Sequence, residues 1–318
     1  MTGAYVAFDL DNTLGFFELT NPLAYLWSPE HLSNPEQSAP NSPLTMSPRL
    51  RAKLRRARDW FASAVASNEE LLWLILRPNL HAIFDPLVAA WRDGRVKAVV
   101  IYSNTSVTYS MELGKALIEH AWRAPGLIRA AADHWSPLRK ADRSNHSEVA
   151  PVKYEEPLKT VQTLRALFRK AAAPTRRAQA GRPVPLIPLK RILFVDDRSP
   201  KHALSAQEAG GLTYLVPTHY VPPAAAASVA TRQLLFALAI EAMNRAGLLR
   251  DREYLHSGFC HRHIPYDWSK LHPIRNCVDL LQWVWGEIET VELSHGRRAW
   301  KDDTAHLAEV TERFLQRQ

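Results

Sequence analysis

Apolar residues along this chain fall into two patterns. Short continuous runs at 5–8, 97–102, 192–195 and 212–216 read as strands. Elsewhere the apolar positions recur every three or four residues. Leu50, Leu54, Ala57, Phe61 and Val65 share one helical face, and Ser47-Pro48 ahead of them reads as an N-cap with proline at the first helical position. Val161, Leu164, Leu167 and Phe168 repeat the spacing, with Glu155, Glu156 and Pro157 as the helix start. Leu71 to Leu76 reads as a buried helix, and residues 226–246, 277–287 and 304–315 as three more. Strands separated by helices predict an α/β fold with a parallel, doubly wound sheet.

Composition between these elements places the joins. Residues 15–46 are rich in Pro, Ser and Asn, 133–157 in charged and polar residues, and 171–190 in Ala, Pro and Arg. All three read as connections, the latter two over the surface. Pro222-Pro223 and the following alanine run mark a boundary. A core at 1–216, with an insert over about 15–75, and a mainly helical extension at 217–318 packed on that core are expected.

The strand ends carry the chemistry. The first run ends in Asp9-Leu10-Asp11-Asn12-Thr13, the second in Ser103-Asn104 and the third in Asp196-Asp197. In an open α/β sheet, ligands bind at the carboxyl ends of strands. Two carboxylates one residue apart suit a magnesium ion, or an acid/base pair held at different pKa values. A hydroxyl and free backbone N–H groups at Ser103 and Asn104 can hold a phosphate oxygen.

Phe8-Asp9-Leu10-Asp11-Asn12-Thr13-Leu14, the strand leading to Ser103, and Val195-Asp196-Asp197 resemble motifs I, II and IV of the haloacid dehalogenase superfamily. The resemblance covers about the first 216 residues. Leu76-Arg77-Pro78-Asn79-Leu80 and Asp196-Asp197-Arg198-Ser199-Pro200 are most similar to the small carboxy-terminal-domain phosphatases. Ser103 stands where that family usually has threonine, and the segment between motifs I and II is longer than its minimal pattern.

The resemblance implies a Rossmann-like core and a magnesium-dependent phosphatase that works through an aspartyl-phosphate. Asp9 would be the nucleophile and Asp11 the general acid/base. Asp9, the carbonyl of Asp11, and Asp197 would hold Mg2+, with Asp196 and Thr13 acting from behind them. Ser103 and Asn104 would bind the phosphoryl oxygens. The superfamily often inserts a cap after motif I, so a modest helical lid is expected within 15–75.

The family also supplies a lysine between motifs II and IV, and three are candidates. Lys190 directly precedes a strand, Lys153 lies in a Pro-flanked stretch, and Lys159 opens the helical segment. A lysine in a first helical turn opposes the helix dipole, which points to a compensating anion, and Lys159 is the choice.

Charge and cysteine content narrow the setting. The formal net charge is +8, which favours an anionic partner: a phosphoprotein, another phosphomonoester, or a nucleic acid. Arg49, Arg51, Lys53, Arg55, Arg56 and Arg58 crowd the helix that begins at Ser47, and they are the specific reason to weigh a polynucleotide or nucleotide phosphatase. A binding protein that kept the fold but lost the chemistry is the non-enzymic alternative. Cys260 and Cys277 give no disulfide framework, and with His256, His261, His263 and His272 they match no standard zinc spacing. Trp268, Trp283, Trp285 and Trp300 read as packing anchors between extension and core. No stretch reads as a signal or a membrane span, so a soluble intracellular protein, cytoplasmic or nuclear, is expected.

Overall fold

Tyr5-Val6-Ala7-Phe8 has no polar residue at either side-chain parity, which suits a strand covered on both faces. In the computed structural model it lies in β1 (Ala4–Phe8), buried throughout, at the centre of a five-stranded sheet. The structure describes residues 3–27, 47–105, 107–133, 136, 138, 159–172, 186–198, 211–218, 220, 222, 224–256, 277–291 and 303–318.

The other strands are β2 (Val96–Tyr102), β3 (Ile128–Ala132), β4 (Ile192–Val195) and β5 (Thr213–Leu215). Their order is β3-β2-β1-β4-β5, and every pairing is parallel. The chain builds outward from β1 through β2 to β3, then crosses to β4 and β5 on the other side. That reversal opens a crevice beside β1, the place where ligands bind such sheets. Phe8 is in register with Ile101 of β2 and Val195 of β4, so the three strand ends lie level.

Four of these strands fall on the apolar runs. β3 was not anticipated. Its sequence, Ile-Arg-Ala-Ala-Ala, has little β-propensity, and it exists because its backbone pairs with one side of β2.

Strand alternation sends Val6 and Phe8 to one face and Tyr5 and Ala7 to the other. On the second face the described cover is α5 (Val161–Ala172), which buries Val161, Leu164, Leu167 and Phe168 as the spacing predicts. The first face carries α1 (Pro48–Ser67), α2 (Glu69–Ile75), α3 (His81–Arg92) and α4 (Thr108–Ala121). Ser47 caps α1 by accepting from the Leu50 N–H at 3.1 Å, with Pro48 at the first position. The five apolar residues that marked its face are all buried.

Residues beyond 217 join the same core. They form α6 (Val229–Arg245), α7 (Arg252–His256), α8 (Cys277–Thr290) and α9 (Thr304–Gln316). The α6 helix lies along α1, α9 packs on α3, and α8 packs on a single 3-10 turn, Pro22–Leu26. Leu235, Leu280 and Leu307 share one buried cluster with Val6 and Phe8. Polar fasteners reinforce the contact. Lys53 pairs with Asp251, the Ser47 hydroxyl donates to Glu253, and the Tyr254 hydroxyl donates to the Leu26 carbonyl at 2.8 Å. Trp283 meets Tyr25 edge-on at 4.9 Å, bridging extension and core as expected, whereas Trp285 packs on Phe236 inside the extension.

Trp268, Trp300, Cys260, His261, His263, His272 and Lys153 lie outside the described residues. Among the described residues, no helix is long and apolar enough to cross a membrane.

Candidate active site

Directly after β1 the chain makes a tight loop that aims its side chains. The Asp9 N–H still donates to the Val195 carbonyl at 2.9 Å, which continues the sheet by one residue. Asn12 then adopts φ 60°, a left-handed conformation that asparagine tolerates better than most residues, and its N–H donates to the Gly15 carbonyl at 2.8 Å. Gly15 is required by contact. A Cβ there would stand 2.1 Å from the Ile75 carbonyl oxygen, against which the loop is laced by Phe16 N–H to Ile75 O at 2.8 Å.

This loop delivers Thr13 to the end of β4. The Thr13 hydroxyl accepts from the Asp197 N–H at 2.9 Å and lies 3.5 Å from the Asp197 carboxylate. A buried threonine thereby ties the two acidic strand ends together.

Lys159 sits between them. Its Nζ is 2.6 Å from Asp9 Oδ1 and 2.6 Å from Asp196 Oδ2, with the side chain 3% exposed. Aromatic rings floor the ammonium, Phe194 at 5.4 Å and Tyr102 at 5.9 Å. The Tyr102 hydroxyl also accepts from the Thr160 N–H at 2.9 Å, holding the backbone next to the lysine. Lys159 lies just before α5 rather than in its first turn. Thr160 caps that helix, accepting from the Thr163 N–H at 3.1 Å. The compensating anions are Asp9 and Asp196. Lys190 is exposed.

Ser103 follows β2 and is buried at the same level. Its N–H donates to the Ala132 carbonyl at 3.0 Å, so it extends the sheet, while its hydroxyl accepts from the Thr105 N–H at 3.1 Å. Ser103 and Asn104 both line the cleft that holds Asp9, Asp11 and Lys159.

Crowding of carboxylates shifts their protonation. Burial, reinforced by Asp9, Glu18 and Asp197, pushes Asp11 up to about 8. One Asp11 oxygen is buried with no hydrogen-bond partner. Asp197 rises to about 7, again through burial and then through Asp9 and Asp196. Burial raises Asp9 above the usual carboxylate range against the pull of Lys159, with Asp196 adding to the rise. For Lys159, burial opposes the charge, but Asp9 and Asp196 overcome it and keep the ammonium protonated.

Carboxylate oxygens of Asp9, Asp196 and Asp197 all lie within 4.8 Å of one another, a spacing that can hold a metal ion. The donors are hard oxygens, which fits a cation of the magnesium class. Asp196 is the most committed of the three: Oδ2 accepts from Lys159 and Oδ1 from the Arg198 N–H at 2.9 Å. Asp9 and Asp197 keep more capacity for a metal, and repulsion among the three is what a cation would relieve.

The cleft above these groups has a volume of about 550 Å³. Its walls include residues that no strand-end pattern marked. Glu18, Asn21 and Tyr25 come from the stretch after the loop, and Glu287, Thr290 and Val291 from the end of α8. Asn12 and Arg198, which also line the cleft, were visible beforehand within the strand-end motifs. The lid expected over 15–75 divides accordingly. Pro22 and Tyr25 reach the cleft, but α1 contributes no lining residue and packs instead against α4 and α6. Its Arg49, Arg51, Arg55 and Arg56 are exposed, while Lys53 and Arg58 pair with Asp251 and Glu112.

No family model, no curated protein and no solved structure matches this chain.

Proposed function

We propose that this chain is a phosphomonoester hydrolase of the haloacid dehalogenase type, similar to the small carboxy-terminal-domain phosphatases, acting on a phosphoprotein. One observation carries the reading: Lys159 bridges Asp9 and Asp196 at 2.6 Å each, in a cleft where Asp11 presents an unpartnered buried carboxyl oxygen. A nucleophile beside a fixed cation, with a second acid that stays protonated near neutrality, is what phosphoryl transfer requires.

In this mechanism a carboxylate oxygen of Asp9 attacks phosphorus while the bond to the leaving oxygen breaks. Asp11, raised to about 8, gives that oxygen its proton. A water then attacks the aspartyl-phosphate and passes its proton to Asp11; the bond between phosphorus and the Asp9 oxygen breaks, and inorganic phosphate leaves. Lys159 and Ser103 hold the equatorial oxygens, and Thr13 fixes Asp197 through its hydroxyl. Mg2+, held by Asp9, Asp197 and the Asp11 carbonyl, would neutralise phosphoryl charge when bound.

The exposed arginines of α1 favour a second reading, a polynucleotide phosphatase whose substrate tracks that helix. Hydrolysis of an aryl phosphate tests the chemistry common to both. Turnover should require a divalent cation and disappear in Asp9→Asn. Turnover that survives Asp9→Asn would refute the mechanism. Folded protein that turns over no phosphomonoester would leave a phosphate-binding scaffold as the reading.

A further inference from the structure

Lys159 and Arg198 stand among the strand-end aspartates of the cleft, Lys159 between Asp9 and Asp196 and Arg198 next to Asp197. Two further carboxylates from distant parts of the chain, Glu18 and Glu287, line the same cleft. Among the described residues, no side chain bonds or ion-pairs with either carboxylate; Glu287 engages only through its main-chain carbonyl, which accepts from the Thr290 hydroxyl at 3.0 Å. Glu18 is half-buried, and burial raises its carboxyl above the usual range. A carboxylate withdrawn from water without a counter-charge costs free energy that a cationic ligand would recover.

The position of these two groups relative to the proton donor sets what they read. Glu18 is close enough to Asp11 for its charge to be felt there. In the phosphatase reading Asp11 delivers its proton to the leaving oxygen, so Glu18, as its neighbour, is placed on the leaving-group side. Tyr25, braced by Trp283, adds an aromatic face to the cleft, a surface on which a guanidinium stacks well.

Resting on the phosphatase reading, we infer that the cleft selects a phosphorylated residue in a peptide whose neighbouring residue is lysine or arginine, with Glu18 and Glu287 as the specificity residues. The phosphate meets Lys159 and Ser103, and the flanking cation meets Glu18 and Glu287. A polyanionic strand would bring further phosphates against those same carboxylates, so oligonucleotides should be poor substrates despite the basic face of α1.

The test compares kcat/KM on phosphoserine peptides that carry a single arginine at successive positions on either side, each matched with a citrulline peptide of the same shape and no charge. Arginine should be favoured about fivefold at one or two positions. In the Glu18→Gln/Glu287→Gln protein the arginine-to-citrulline ratio should fall to about one, and Glu287→Lys should invert it towards peptides with a flanking aspartate. Equal rates on the matched peptides, a preference that survives the double substitution, or a 3′-phosphorylated oligonucleotide outrunning every peptide would overturn the inference while leaving the hydrolase chemistry intact. No turnover of any phosphomonoester, aryl phosphate included, would overturn both.

Discussion

Arg77 and Asp303 stand 226 residues apart in sequence and form a buried ion pair, with Arg77 Nη2 3.1 Å from Asp303 Oδ1. The arginine side chain is fully buried and spends its other donors on the Asn79 side chain and on the carbonyls of Thr218 and Asn12. Asp303 also accepts from the Asn79 amide and from the Thr218 N–H at 2.6 Å. One guanidinium therefore joins the start of α9 to the loop that carries Asp11, and the helical extension braces that loop.

Removing one partner of such a pair leaves the other charged and buried. Asp303→Ala should destabilise the protein by about 3 kcal/mol, read as a lower urea midpoint with an unchanged slope. Arg77→Met in the same background should recover part of that loss, because the double substitution leaves no uncompensated charge. A midpoint unmoved by Asp303→Ala would show that the tether contributes nothing.

Among the described residues, Lys159 is the cation that touches both Asp9 and Asp196, so Lys159→Met should act on charge as well as on rate. Aryl phosphate turnover should drop about a hundredfold or more. In chelator the variant should melt below wild type, and added magnesium should raise its melting temperature more than it raises that of wild type. Wild-type kinetics in Lys159→Met would transfer the role to Lys153 or Lys190.

Asp11 near 8 and Asp197 near 7 bind protons more readily folded than unfolded. The stability they contribute is complete below the ordinary carboxylate range, near pH 4, and is lost as pH rises through about 7 and about 8. Metal-free protein should therefore melt several degrees lower at pH 9 than at pH 6. Asp11→Asn should flatten this dependence, and magnesium should oppose it. A pH-independent melting temperature in chelator would contradict the crowding of these carboxylates.

Gly15→Ala should cost about 1–3 kcal/mol, because its methyl group must displace the Ile75 carbonyl. Since that carbonyl also anchors Phe16, turnover should fall along with the melting temperature. A fully active, fully stable Gly15→Ala protein would show that the loop accommodates a Cβ freely.

The strand ends at Asp9, Ser103 and Asp196 were legible because short apolar runs that stop at polar residues have one simple structural meaning. The α1 face and its Ser47 cap were equally plain, since both signals are local. Lys159 could be ranked ahead of Lys153 and Lys190 because it opens a helical segment, but local sequence could not supply the carboxylates that hold it. The strand Ile128–Ala132 was hidden because its conformation comes from a neighbour and not from its alanines.

Glu18, Tyr25 and Glu287 show where local reading stops. They line one cleft only because α8 packs on the Pro22–Leu26 turn, a contact between segments more than 250 residues apart that no periodicity encodes. By itself the sequence determined the α/β class, the strand ends and the acidic chemistry they carry, because backbone propensity and side-chain spacing act over a few residues. Tertiary structure alone decided the Lys159 bridge, the Arg77–Asp303 tether and the meeting of Glu18 and Glu287 in one cleft, because long-range packing and the pairing of buried charges depend on which distant surfaces fit together.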